Sequence, residues 1–149
     1  MNKNAGRLGT GGGPQQAAAI AFRGTDRGVE VCLIRKRNSQ TWGIPKGMVD
    51  PGDTLEETAL NETWEEAGMD GRLVGAPVGK YEYEKWESTF TVAVYLLEVL
   101  DEHPTWPEER FRERGWWPLD DAVKLLSGHP VRPLLGRVAL ALTAWRQGR

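Results

Sequence analysis

Residues 47–69 read GMVDPGDTLEETALNETWEEAGM, from Gly47 to Met69. Pro51-Gly52 marks a turn, and Thr54-Leu-Glu-Glu57 has the form of a capping box, in which a Thr side chain and a Glu three residues on satisfy each other's free backbone N–H groups. Asp53 is a second candidate for the cap. Ala, Leu and Glu then dominate up to Ala67, and Gly68 supplies a C-terminal stop, so the stretch predicts a helix of about 13 residues. At about 100° per residue, Ala59, Leu60, Thr63, Trp64 and Ala67 share a packing arc. Glu62, Glu65 and Glu66 fall together in the neighbouring arc.

That acidic arc is locally costly. Like charges at i, i+3 and i+4 destabilise a helix, and these three sit in the last turns, where the helix dipole also disfavours anions. Two carboxylates held about 4 Å apart at an effective dielectric near 20 repel by roughly 4 kcal/mol. Protonation, separation into solvent or a bound cation relieves this, and oxygen ligands without His or Cys select Mg²⁺ or Mn²⁺ over zinc or copper. The bland alternative is a solvated helix surface chosen for helix propensity, which suits Glu56 and Glu57.

The surroundings sharpen the contrast. Residues 47–71 hold eight acidic side chains and no Lys, Arg or His, so this window carries −8 and, against a net charge of −2, the rest of the chain carries +6. On either side of the helix the pattern alternates between strands and helices. Ala17–Phe22 and Val29–Arg35 read as strands joined by the turn 24–28, with Val29, Val31, Leu33, Arg35 and Arg37 on one face. Leu73–Glu84 and Thr89–Val99 read as paired strands joined around Lys85-Trp86-Glu87. A Pro/Glu/Arg-rich loop at 103–113 follows, then helical patterns at Asp120–Leu126 and Pro133–Trp145. Residues 1–14, polar and Gly-rich, read as a flexible tail, and 15–149 as a single α/β domain.

With 149 residues, 40% of them hydrophobic, one core can form without staples. A single cysteine, Cys32, rules out an internal disulfide, and with only His103 and His129 beside it the chain is too poor in soft ligands for a zinc site. No G-x-S-x-G element or His pair supports a covalent route, so water is the best nucleophile. No apolar stretch approaches membrane-spanning length and no signal-type apolar region is seen, so a soluble cytoplasmic protein is expected.

The run Gly47–Met69 resembles the signature of the Nudix hydrolases, G-x5-E-x7-R-E-U-x-E-E-x-G-U with U apolar. Gly47, Glu62, Glu65, Glu66, Gly68 and Met69 match. Asp53, Asn61 and Thr63 stand where the signature has Glu, Arg and an apolar residue. Trp42-x-x-Pro45-Lys46-Gly47 continues the likeness and is similar to diadenosine tetraphosphate hydrolases, while Arg112–Leu126 is similar to diphosphoinositol polyphosphate phosphohydrolases.

The resemblance implies a Nudix-type α/β/α sandwich with a mixed β-sheet, and Mg²⁺-dependent hydrolysis of a diphosphate linkage in a small-molecule polyphosphate. It implies Glu62, Glu66 and the backbone carbonyl of Lys46 as metal ligands and Glu65 as general base, with Glu84 and Glu87 in reserve because some family members take the base from a later loop. Arg37 and Arg114 are the implied phosphate contacts, with Arg35 and Lys46 added as basic residues bordering the acidic helix; the seven tryptophans read as core or interface anchors, with Trp42 and Trp86, in predicted loops, the two able to stack a base. Nucleic acid is not expected as a partner, except an RNA 5′ end. The family's Arg helps hold the helix carboxylates, a charge that Asn61 cannot supply. A module that binds a phosphorylated ligand without turnover is therefore the alternative.

Overall fold

Ala17 to Ala21 are buried on both faces, the unbroken apolar run that a central strand covered on both sides requires. The computed structural model describes residues 13–149, so the expected tail, apart from Gly13 and Pro14, lies outside the described residues. Gln16–Thr25 form β1, Gly28–Lys36 β2, Lys46–Met48 β3, Leu55–Ala67 α1, Met69–Leu73 β4, Gly79–Lys85 β5, Ser88–Glu102 β6, Arg112–Pro118 β7, Leu119–Leu125 α2 and Leu135–Gln147 α3, the last entered through a 3₁₀ turn at Arg132–Leu134. One mixed sheet runs β4-β6-β1-β2-β7, with β3 added beside β1 and β5 beside β6. β1 pairs in parallel with β6 and antiparallel with β2 and β3.

The two faces of β1 serve two layers. Ala17, Ala19 and Ala21 pack with Ala59 and Ala67 of α1, while Ala18, Ile20 and Phe22 pack with Val138 and Leu142 of α3 and Ala122 of α2. This is the expected α/β/α sandwich, with small side chains letting α1 sit close to the sheet. No helix among the described residues is long and apolar enough to cross a membrane.

Three expectations about elements need correction. The single strand predicted over Leu73–Glu84 is two, β4 and β5, separated at 74–78, where Gly75 has φ +72° and Pro77 removes a donor. β3 was not foreseen, because three residues carry no periodicity. Arg112–Pro118, placed partly in a loop, is a sheet strand whose register sets Lys36 opposite Arg112 and Ile34 opposite Arg114.

Candidate active site

Helix α1 starts and stops as its residues dictate. Thr54, rather than Asp53, is the cap: its hydroxyl accepts from the Glu57 N–H at 3.0 Å and the Glu57 carboxylate accepts from the Thr54 N–H at 2.9 Å. Gly68 ends the helix at φ 68°. Thr63 fits an apolar position because its hydroxyl donates to the Ala59 carbonyl at 2.8 Å, leaving no unpaired polar group in the interface.

The packing face differs from the expected one. Thr58, Ala59, Thr63, Glu66 and Ala67 are buried, whereas Leu60 and Trp64 are half-buried on its flank. Glu66, assigned to the acidic arc, is 5% exposed. Close approach to an alanine-lined sheet favours small residues at the centre and pulls the adjoining carboxylate under cover. Burial, and then the Glu62 carboxyl within hydrogen-bond reach, push the Glu66 carboxyl far above the usual carboxylate range, while Arg112 opposes the shift. Glu65 is exposed; partial burial raises it, followed by Glu62, Glu108 and Asp50.

Glu62 reaches back to β3. A Cβ at Gly47 would collide with its carboxyl group, so the carboxylate rests on backbone only glycine leaves open, next to the Lys46 peptide. Among the described residues no three His, Cys, Asp or Glu side chains converge as a metal cage. Two neighbouring carboxylates on α1 and the adjoining Lys46 carbonyl suit a hard cation that retains several waters, the habit of Mg²⁺.

Strand alternation divides the expected phosphate contacts. Ala17 and Gly47 pair on the α1 side, and Ala18 pairs with Lys46 on the α2/α3 side. The Lys46 amino group accordingly lies across the sheet from Glu62, 3.4 Å from the Tyr83 hydroxyl and 4.8 Å from its ring. His129 lies near it; burial first and Lys46 second push its imidazole down to about 4. Arg35 shares that face with Val29, Val31 and Leu33, pairs with Glu113 at 2.7 Å and covers Trp42 at 4.5 Å.

Arg37 donates to the Glu109 and Arg110 carbonyls at 2.7–3.1 Å and so pins the 103–111 loop. Arg114 donates to the Ala67 and His103 carbonyls at 2.7 and 2.6 Å and stacks on Trp106 at 3.9 Å, closing the carbonyl end of α1. Lys36 and Arg112, opposite one another in the register, share the α1 face with Ile34 and Arg114. Lys36, Arg37, Asn38, Arg110, Phe111 and Arg112, with Glu108, line a cavity of about 720 Å³. Lys36 and Arg110 make no ion pair among the described residues.

Glu84 lies on β5 and Glu87 in the β5–β6 turn, where Trp86 and Glu87 both have positive φ. A later-loop carboxylate that helps raise both Glu65 and Glu66 is Glu108, whose N–H donates to the Glu65 carbonyl at 3.0 Å. No spacing rule links it to a helix some forty residues earlier, and only the acidic loop composition hinted at it. Asn61 and Asp53 are both exposed and make no hydrogen bond with each other. Trp86 is exposed beside Lys85, and Trp42 packs edge-on to Trp117.

A model of the NUDIX domain family matches residues 13–135. The chain is 31% identical over 135 residues to Nudix hydrolase 21, chloroplastic, of Arabidopsis thaliana, covering 87% of this chain and 68% of that one. It is 30% identical over 120 residues to diphosphoinositol polyphosphate phosphohydrolase 3-alpha of Mus musculus, covering 77% and 70%. It spans 52% of the length of two further Arabidopsis relatives. The crystal structure of a C. elegans Ap4A hydrolase binary complex shares the fold, with a TM-score of 0.73 at 24% identity over 88% of this chain and 98% of that one.

Proposed function

The chain belongs to the Nudix domain family and is a hydrolase of that family, and from this premise we propose that it cleaves a phosphoanhydride bond in a nucleoside or inositol polyphosphate by attack of water on phosphorus, using Mg²⁺ or Mn²⁺. The observation that carries this reading is the meeting of the Glu62 and Glu66 carboxyls beside the Gly47 backbone. Glu62, Glu66 and the Lys46 carbonyl would hold the cation. When bound, that cation polarises phosphate oxygens and makes water a better nucleophile near neutral pH.

Glu65 takes the proton that the attacking water gives up. Its exposed carboxylate stands on the same helical turn, and its neighbours already favour proton uptake. Glu108 is the loop carboxylate placed to share that task. Lys36 and Arg110, which make no ion pair among the described residues, draw the phosphate chain into the adjoining cavity. Arg35 and Lys46, with the Trp42 and Tyr83 rings, offer charge and aromatic surface on the opposite face for the remainder of the substrate. The only cysteine is buried, which fits a reducing compartment such as the cytoplasm.

Phosphate release should be measured from dinucleoside polyphosphates, nucleoside diphosphate sugars, diphosphoinositols and 5′-triphosphorylated RNA, with and without Mg²⁺. Metal-dependent release from at least one, fastest with the longer phosphate chains, is expected. No release from any of them in saturating Mg²⁺ or Mn²⁺ would reject the proposal.

A further inference from the structure

Glu66 is 5% exposed beside Glu62, and a fixed positive charge near it favours the anionic form that can hold a cation. Residues 47–71 contain none, so it must come from elsewhere in the chain. Arg114 and Arg37 are the nearby candidates from β7 and the end of β2, but their donors go to backbone carbonyls and, at 3.7 Å each, to Glu102 and Glu113 rather than to Glu62 or Glu66. Arg112 remains. Its Nε donates to the Glu108 carboxylate at 2.8 Å and its Nη2 lies 3.7 Å from the Glu66 carboxylate.

The frame behind this guanidinium is rigid. Arg112 starts β7 opposite Lys36, and the N–H groups of Phe111 and Arg112 both donate to the Glu108 carbonyl at 2.9 and 3.0 Å. The Glu108 N–H in turn donates to the carbonyl of Glu65, the residue before Glu66. Backbone and side chain therefore close one loop from α1 through Glu108 and Arg112 back to α1. Burial of the Arg112 side chain, 22% exposed, removes much of the solvent that would screen it.

We infer that Arg112 is a positioning residue for the candidate metal centre: it anchors Glu66 and Glu108 from β7, supplying from the α1 face of the sheet the cation that α1 lacks at Asn61. This rests on the metal-binding role proposed for Glu66. Its other side lines the cavity with Lys36 and Arg110, so one guanidinium adjoins both the carboxylates and the proposed phosphate cavity.

The test is Mn²⁺ affinity, measured by electron paramagnetic resonance on the full chain without substrate, for wild type, Arg112→Gln and Arg112→Lys, with thermal unfolding in metal-free buffer alongside. Arg112→Gln should bind Mn²⁺ about 10–100-fold more weakly. Arg112→Lys, which keeps the charge but cannot span both carboxylates, should fall between that variant and wild type. The metal concentration for half-maximal turnover should rise in parallel. Equal affinity in both variants, whatever happens to the melting temperature, would reduce Arg112 to a structural residue. Tighter Mn²⁺ binding would make it a competitor of the cation. Either result overturns the inference while leaving the hydrolase reading standing. Absence of Mn²⁺ binding to wild type would overturn both. If Arg112→Gln does not fold, Arg112→Lys alone decides, and wild-type affinity in it counts against the inference.

Discussion

The carboxyl group of Glu62 occupies the space that a side chain on Gly47 would need. One residue on a three-residue strand and one on α1 thus define each other's position.

Gly47→Ala should leave the fold nearly intact, because the atoms in the way are the far end of a flexible side chain. The displaced carboxylate should cost at least about tenfold in metal affinity and kcat/KM, in the range of a misplaced ligand. Unchanged Mn²⁺ affinity in a folded Gly47→Ala protein would remove Glu62 from the centre.

Glu66→Gln should abolish metal-dependent turnover, since the amide keeps size but loses the anionic ligand. It should also change stability with pH. The Glu66 carboxyl is pushed up to about 9 in the folded protein by burial and by Glu62, above its unfolded value near 4.3. A group raised in this way contributes stability that is fully present below the unfolded value and lost as pH rises through the folded one. Metal-free wild type should therefore lose melting temperature between about pH 4 and pH 9, and Glu66→Gln should lose less and melt higher at pH 8. Equal slopes in the two proteins would refute this.

Arg114→Ala should behave as a structural variant. It strips the Ala67 and His103 carbonyls of a charged donor, a loss of about 1.5–3 kcal/mol per such interaction at most. Thermal unfolding should show a lower melting temperature, with KM within about twofold of wild type. A large KM increase without a stability loss would return Arg114 to the phosphate contacts.

Lys36→Ala and Arg110→Ala should raise KM for long polyphosphate chains more than for substrates with one diphosphate, because only the longer chains carry charge far enough to reach both cations. Lys36 and Arg110 have no carboxylate partner among the described residues, so stability should hardly move. Equal KM changes for short and long substrates would take the cavity out of substrate binding.

Asn61→Arg in the wild-type background should leave Mn²⁺ affinity within about threefold, because Arg112 already serves the carboxylates and position 61 faces solvent. A tenfold tighter affinity would show that the missing helix charge still matters.

The helix and the clustering of its carboxylates were legible in the sequence because their determinants are local. A capping box at Thr54–Glu57, a left-handed stop at Gly68 and the spacing of Glu62, Glu65 and Glu66 all lie within one stretch, whose rise and periodicity convert spacing into geometry. The alternation of strands and helices likewise announced a layered α/β domain. Burial of Glu66 did not follow from its spacing, because the rotation of α1 about its axis is set by what packs beneath it. The phosphate contacts were harder still. Arg35 and Lys36 are neighbours in the chain, yet the two-residue period of β2 sends them to opposite faces of the sheet. Only the placement of α1 on one face decides which of them stands near the carboxylates. Glu108 and Arg112 come from a loop and a strand whose composition announced charge but no partner. Their meeting with Glu66 depends on β7 pairing with β2 and on the loop hydrogen-bonding to α1. Local hydrogen bonds and side-chain periodicity are written residue by residue, but a contact between residues some forty positions apart is decided by how the layers pack, and that is a property of the folded chain.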